Sequence, residues 1–183
     1  MDAWGLDISF RLLSEGKTSD AELPLLCASG EHLPFGCGSL DGIICECVLS
    51  LLPEPGRALS EFYRVLRREG CLILSDIYLR GGETGEWVPA EEENLRKKPV
   101  YGCLKGALPT YSTETMLSQA GFAIHLWEDH TPFIKEFAAR LVLAHGSLDA
   151  FFGGEKDAGC SGMGLPTMGA LSPGYYLLVA RKK

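Results

Sequence analysis

Apolar residues in this chain fall into short blocks whose spacing switches between that of strands and that of helices. Residues 3–8 read as a short strand that ends on Asp7 and Ile8. Ser9 is placed to cap a following helix, with Phe10, Leu12 and Leu13 as its apolar face and Gly16 as its stop. Residues 23–28 and 42–49 are two further apolar runs, each short enough to be a strand, and the second is followed by Pro53-Glu54-Pro55-Gly56. Ala58, Leu59, Phe62, Val65 and Leu66 then recur at three-to-four-residue spacing. Arg64, Arg67 and Arg68 lie toward the end of this predicted helix, where cations suit its dipole, and Gly70 is expected to close it. Residues 71–77 form a nearly unbroken apolar run, the pattern of a strand covered on both faces.

Beyond residue 80 the pattern breaks. The acidic run Glu91-Glu92-Glu93 and the basic run Arg96-Lys97-Lys98 predict a solvated loop or short irregular helix within 80–112. Thr113 is expected to cap a helix carrying Met116, Leu117 and Ala120 and closed by Gly121. Residues 122–127 alternate like a strand, and Phe133, Phe137, Leu141 and Leu143 mark an amphipathic helix. The glycines between Gly146 and Gly174 predict a long loop, and residues 173–180 close the chain as a last strand. Strands alternating with helices predict an α/β fold: a mostly parallel sheet with helices on both faces and an antiparallel C-terminal edge strand.

Composition narrows the class. The chain has 183 residues, 46% of them apolar and 22% charged, enough for one domain with a filled core, taken as residues 1–183. No apolar run reaches the length of a membrane span, and the first residues lack the basic and apolar regions of a signal peptide. A net charge of -7 argues against a nucleic-acid-binding surface. Seven cysteines, odd in number and unframed, read as reduced thiols in a cytoplasmic protein.

In open α/β sheets ligands lie beyond the carboxyl ends of the strands. Asp7 ends the first strand, where a carboxylate accepts from ribose hydroxyls or, equally, caps the next helix. Ala28-Ser29-Gly30-Glu31 follows the second strand, where its backbone and polar side chains can border an adenine ring. Taken together, Gly5-Leu6-Asp7-Ile8-Ser9, Glu31-His32-Leu33-Pro34-Phe35, Ser39-Leu40-Asp41-Gly42-Ile43-Ile44 and the stretch from Leu59 through Arg64-Val65-Leu66-Arg67 to Leu72 resemble successive motifs of the class I S-adenosylmethionine-dependent methyltransferases, in order and with matching spacing. The resemblance is close over residues 3–79 and looser over 113–128.

That resemblance implies a Rossmann-like fold, S-adenosyl-L-methionine as cofactor and a small-molecule acceptor. It implies that Asp7 binds the cofactor's ribose with Ile8 beside the adenine. Ser29, Gly30 and Glu31 would border the adenine edge, and Cys45 and Glu46 would face the methionine end. Ser29 stands where many relatives carry an aspartate, and Glu69-Gly70 replaces a usual glycine pair. The family's first motif, a strand, a glycine-rich turn and a helix, falls ahead of Ala3, so the fold is expected to lack its N-terminal strand and helix. Gly36-Cys37-Gly38 imitates the core of that motif but follows no strand and opens no helix.

The chemistry implied needs little from the protein beyond alignment of nucleophile, methyl and sulfur, and no catalytic residue is assigned. His125, His130 and Asp76 are weighed as a base or an acceptor-side residue against structural roles. Cys27, Cys37, Cys45, Cys47 and His32 do not have zinc-site spacing, and no metal is expected. Cys103 and Cys160 fall in the glycine-containing segments 80–112 and 146–174, which are expected to cover the substrate. Two other readings stand beside methyl transfer: a non-catalytic methyltransferase-like binding or scaffold protein, and a nicotinamide-dependent oxidoreductase, which the Leu33-Pro34-Phe35 and Arg64-Val65-Leu66 stretches oppose.

Overall fold

The computed structural model describes residues 2–80, 106–147 and 173–183. The acidic and basic runs at 91–98, Cys103, Cys160 and most of both expected substrate-covering segments lie outside the described residues.

The N-terminal part is a small parallel pair, β1 (Gly5–Asp7) and β2 (Leu25–Cys27), in register from Gly5↔Leu25 to Asp7↔Cys27. Between them runs α1 (Phe10–Ser19), whose N-cap is Ser9: its hydroxyl accepts from the Leu12 N–H. The helix continues through Gly16, where the sequence predicts a stop, and the Gly16 carbonyl accepts the closing bond from Asp20 N–H. The expected apolar face of α1 is not buried, and Phe10 is 74% exposed.

The main sheet has the order β3 (Leu40–Glu46), β4 (Leu66–Leu79), β7 (Pro173–Lys182), β6 (Phe122–Asp129), with the two-residue β5 (Leu108–Pro109) beside the end of β4. β3 and β5 run parallel to β4, whereas β7 is antiparallel to both β4 and β6. The last strand is therefore antiparallel as expected, but it lies inside the sheet, and β6 takes the edge. Two-sided pairing accounts for this: β7 pairs with β4 from Pro173 to Arg181 and with β6 from Tyr176 to Lys182, so both rows of its backbone groups are satisfied.

Helix α2 (Pro55–Val65) begins with Pro at its first turn and buries the predicted stripe Ala58, Leu59, Phe62 and Val65. It ends at Val65, five residues before Gly70; Leu66 is already extended, and Arg67 and Arg68 belong to β4. The reason is tertiary. Lys182, near the end of β7, donates its ammonium to the carbonyls of Tyr63 (2.6 Å) and Leu66 (2.8 Å), satisfying groups a continuing helix would have paired. Helix α3 (Thr110–Gln119) starts ahead of Thr113, which is buried within it rather than capping it. Gly121 closes this segment as predicted, at φ 96, with the Tyr63 ring 2.6 Å from where a Cβ would stand. Helix α4 (Thr131–His145) buries only Thr131.

The two faces of the main sheet differ. Leu72, Leu74, Tyr176, Leu178 and Ala180 form the core with α2 and with Leu117 of α3. Ile44, Ile73, Val179 and Leu126 line up across the four strands on the opposite face, where Ile44 is 67% exposed and α4 stands to one side. Replacing Lys182 with Ala leaves two carbonyls at the end of α2 without their charged donor. We expect a loss of about 1–2 kcal/mol in urea unfolding, with Lys182→Arg recovering part of it.

Candidate active site

Asp7 ends β1, and its carboxylate accepts from the Ser9 N–H at 2.7 Å, so one oxygen is committed to the turn into α1. The cap of α1 is Ser9 rather than Asp7, and the second Asp7 carboxylate oxygen is left for a ligand hydroxyl. Ile8 beside it is 75% exposed, an apolar side chain standing open next to a carboxylate. That pairing fits a nucleoside, whose base is apolar on its faces and whose ribose donates hydrogen bonds. The Ala28 N–H donates to the Asp7 carbonyl, which brings the start of the next segment alongside.

Ser29, Gly30 and Glu31 form a tight turn in which the Ser29 hydroxyl accepts from Glu31 N–H and Ser29 bridges to His32. Gly30 lies against Leu52 and Phe62. One oxygen of the Glu31 carboxylate accepts from Glu54 N–H at 2.7 Å. The segment after β2 is thereby tied to the segment after β3, so both strands end on the same side of the molecule. His32 pairs with Arg57 on α2.

The chain between these strands is clamped by Arg64, whose guanidinium donates to the carbonyls of Leu33 (3.1 Å) and Phe35 (2.9 Å) and to Glu61. Glu61 in turn accepts from Leu33 N–H. The hydrogen bond from Arg64, helped by that from Leu33, brings the Glu61 carboxyl down to about 2. Gly36-Cys37-Gly38 belongs to this clamp: Gly38 N–H donates to the Arg64 carbonyl and Cys37 Sγ accepts from the guanidinium. It packs on the end of α2 and opens no helix, as its sequence context implies.

At the end of β3 the chain passes through Cys45, Glu46 and Cys47. Cys45 faces the core at 7% exposure, and burial, with Asp76 nearby, pushes its thiol up to about 12. It is a packing residue held protonated. Glu46 points to the opposite, open face. Cys47 has a φ of 52, and its N–H donates to the Ser75 carbonyl. A 3-10 turn over Leu49–Leu51 follows, held by Asp76. The Asp76 carboxylate, 2% exposed, accepts from Ser50 N–H (2.8 Å), Ser50 Oγ (2.7 Å) and Ile77 N–H (2.7 Å). Burial raises its pKa against the opposing pull of these bonds. Asp76 is thus a latch on the segment after β3 rather than an acceptor-side group.

Beside Glu46 a cleft of about 410 Å³ opens between the sheet and α4. Ser75, Tyr175 and Leu177 form its floor, and Phe133 and Phe137 its wall. His130 also lines it, with its Nε2 2.8 Å from Glu128. His125, the other histidine considered, is exposed at the irregularity in β6 between Ile124 and Leu126. Tyr175 Oη donates to Ser75 Oγ at 3.1 Å, and with that proton in use it accepts from the Cys47 thiol at 3.4 Å. Burial, then the Cys47 contact, pushes its phenol up to about 12. Tyr175, Phe133 and Phe137 were visible in the sequence only as strand and helix residues; the alternation in Tyr175-Tyr176 is the one signal that the first of the pair leaves the core. Among the described residues no cluster of three His, Cys, Asp or Glu side chains could hold a metal.

Replacing Asp76 with Asn keeps the shape but turns one acceptor into a donor facing Ser50. We expect a cost of about 1–3 kcal/mol in denaturant unfolding and faster hydrogen exchange at the Ser50 amide. Glu61 contributes to pH dependence with a definite sign. Its folded pKa lies below the ordinary 4.5, so its stabilisation is complete above 4.5 and drains away as pH falls toward 2. Unfolding curves of Glu61→Gln should lack that part of the acid loss in this window, being less stable than the parent at pH 6 and closer to it at pH 2.5.

Residues 1–74 match the family described as a methyltransferase domain. An arsenite methyltransferase of Halobacterium salinarum is 27% identical over 162 residues, which cover 84% of this chain and 40% of that protein. The human arsenite methyltransferase is 35% identical over 85 residues, 46% of this chain and 21% of the relative. The chain therefore spans at most about two-fifths of the length of these two relatives. Among solved structures, Haemonchus contortus phosphoethanolamine N-methyltransferase 2 in complex with S-adenosyl-L-methionine superposes with a TM-score of 0.66 at 16% identity, over 98% of this chain and 43% of that one. The arsenic(III) S-adenosylmethionine methyltransferase of Chlamydomonas reinhardtii superposes at 0.55 and 18% identity, over 98% and 55%. At such identities the superpositions speak for the fold alone, and the domain match is confined to the first 74 residues. Residues 1–74 thus match a methyltransferase domain, and the chain shares its fold with solved S-adenosylmethionine-dependent methyltransferases.

Proposed function

We propose that this chain binds S-adenosylmethionine along the carboxyl ends of β1, β2 and β3 and transfers its methyl group to a small molecule. The observation that carries this reading is the tether from Glu31 to Glu54, which puts the ends of β2 and β3 on one side of the molecule. On that side Asp7 would accept from the ribose hydroxyls with its second oxygen, and exposed Ile8 would lie against the adenine. Ser29, Gly30 and Glu31 would border the adenine edge. Glu46 would face the cationic methionine end, while Cys45 supports the strand behind it. The cofactor supplies a methyl group already activated by its sulfonium. What the chain contributes is alignment: Asp76 fixes the segment after β3, and Arg64 fixes the segment after β2.

The names of the curated relatives favour a second reading of the acceptor, namely arsenite. Residues 80–112 and 146–174, with Cys103 and Cys160, would cover the acceptor in a single domain over 1–183. The cytoplasm is the proposed compartment, supported by the free thiols of Cys27, Cys37, Cys45, Cys47 and Cys71. No helix among the described residues is long and apolar enough to cross a membrane.

Calorimetric titration with S-adenosylhomocysteine tests the reading directly. Micromolar binding is expected, weakened about 10- to 100-fold in Asp7→Ala by loss of a charged acceptor. Absence of binding at millimolar concentration would overturn the reading in favour of a non-catalytic binding protein. Incubation with S-adenosylmethionine and arsenite, followed by arsenic speciation, tests the second acceptor reading.

A further inference from the structure

The cleft beside Glu46 has a composition that the fold does not require. Phe133 and Phe137 are 66% and 52% exposed on a helix that buries only Thr131, so packing does not explain two large aromatic rings there. Together with Tyr175 they line a largely open depression of about 410 Å³. Its polar lining is selective. Glu46 brings a carboxylate, and His130 brings an imidazole already paired with the Glu128 carboxylate. Among the described residues no Lys or Arg lines the cleft.

Each ligand class meets this lining differently. An anion would face Glu46 and the carboxylate behind His130 with no cation to receive it. A neutral apolar molecule would gain nothing from Glu46, whose carboxylate is exposed to water. A thiophilic oxyacid would find no thiol among the described lining residues. An ammonium ion satisfies all three features, because aromatic faces attract it, a carboxylate pairs with it, and its carbon part covers Phe133, Phe137 and Leu177.

We propose that the cleft between α4 and the open face of the sheet binds a compact organic ammonium ion, with Glu46 against its charge and Phe133, Phe137 and Tyr175 around its carbon part. Its further assignment as the site of the methyl acceptor rests on the methyl-transfer reading, in which the ammonium would first give up a proton to water. The nitrogen lone pair would then bond to the methyl carbon as the carbon–sulfur bond breaks and its electron pair stays on sulfur. Binding itself does not depend on that reading. The fold sets the pocket by alternation along β7: Tyr175 and Leu177 face the cleft because Tyr176 and Leu178 face the core.

The test is a titration of the whole chain, without cofactor, by 2-phenylethylammonium chloride and by its uncharged analogue 2-phenylethanol, followed by calorimetry and by NMR shifts of the aromatic rings. Saturable binding of the ammonium is expected, with the alcohol at least about fivefold weaker. Glu46→Gln should weaken the ammonium by about fivefold or more and bring it close to the alcohol. Phe137→Ala, at an exposed position, should weaken it about threefold or more while leaving the affinity for S-adenosylhomocysteine within about twofold. Equal binding of ammonium and alcohol, an unchanged affinity in Glu46→Gln, or no saturation by the ammonium would overturn the proposal. S-adenosylhomocysteine bound without the ammonium would sink this inference alone. Ammonium bound without S-adenosylhomocysteine would keep the site and remove the methyl-transfer reading.

Discussion

Strand β4 is the constraint on which the rest of the main sheet depends. It is paired on one side with β3 and on the other with β7, and its alternate residues meet different surroundings on its two faces. Leu72 and Leu74 are buried with α2 and β7. Ser75, one residue further on, faces the cleft and accepts from Tyr175, and Asp76 turns back to hold Ser50. A one-residue slip of β4 against β7 would exchange these sets, placing a carboxylate where a hydroxyl is needed and apolar side chains in solvent. The register is therefore fixed by chemistry as well as by area.

Three polar fixtures convert that sheet into a shaped surface. Arg64 holds the carbonyls of Leu33 and Phe35, Asp76 holds Ser50, and Lys182 closes α2. Each pairs a charged group with backbone atoms that the regular ladder leaves over, which is where such a group does most for a fold. The result is that the segments after β2 and β3 end on one side of the molecule while the core lies below them. The proposed methyl transfer would ask for little else, since a methyl group on sulfonium needs alignment more than a reactive side chain.

The described thiols divide by environment. Cys45 is buried and held protonated as part of the core, whereas Cys47, just past the end of β3, reaches the hydroxyl of Tyr175 on the other face. Alternation alone would return Cys47 to the face of Cys45, and the positive φ of 52 at Cys47 turns the chain away from it. The same alternation puts Tyr175 in the cleft and Tyr176 in an aromatic stack with Trp127, with centroids 4.5 Å apart.

Much was legible in the sequence because it rests on local physics. The stripe Ala58, Leu59, Phe62 and Val65 predicted α2 and its buried face, Ser9 predicted the start of α1, Gly121 predicted the turn after α3, and the ordered motifs predicted the α/β fold and the methyltransferase-domain match over residues 1–74. The end of α2 was not legible, because Lys182 settles it from 116 residues away. The interior place of β7 was equally hidden, since alternation in one strand says which side chains are buried and nothing about which neighbours it finds. Tyr175, Phe133 and Phe137 were unremarkable in order and meet only once the sheet and α4 are folded. Local periodicity and capping are set by residues within a turn or two of one another, so the sequence determines them by itself. Strand order, helix ends closed from afar and the convergence of a cleft depend on contacts across the chain, and only the tertiary structure decides them.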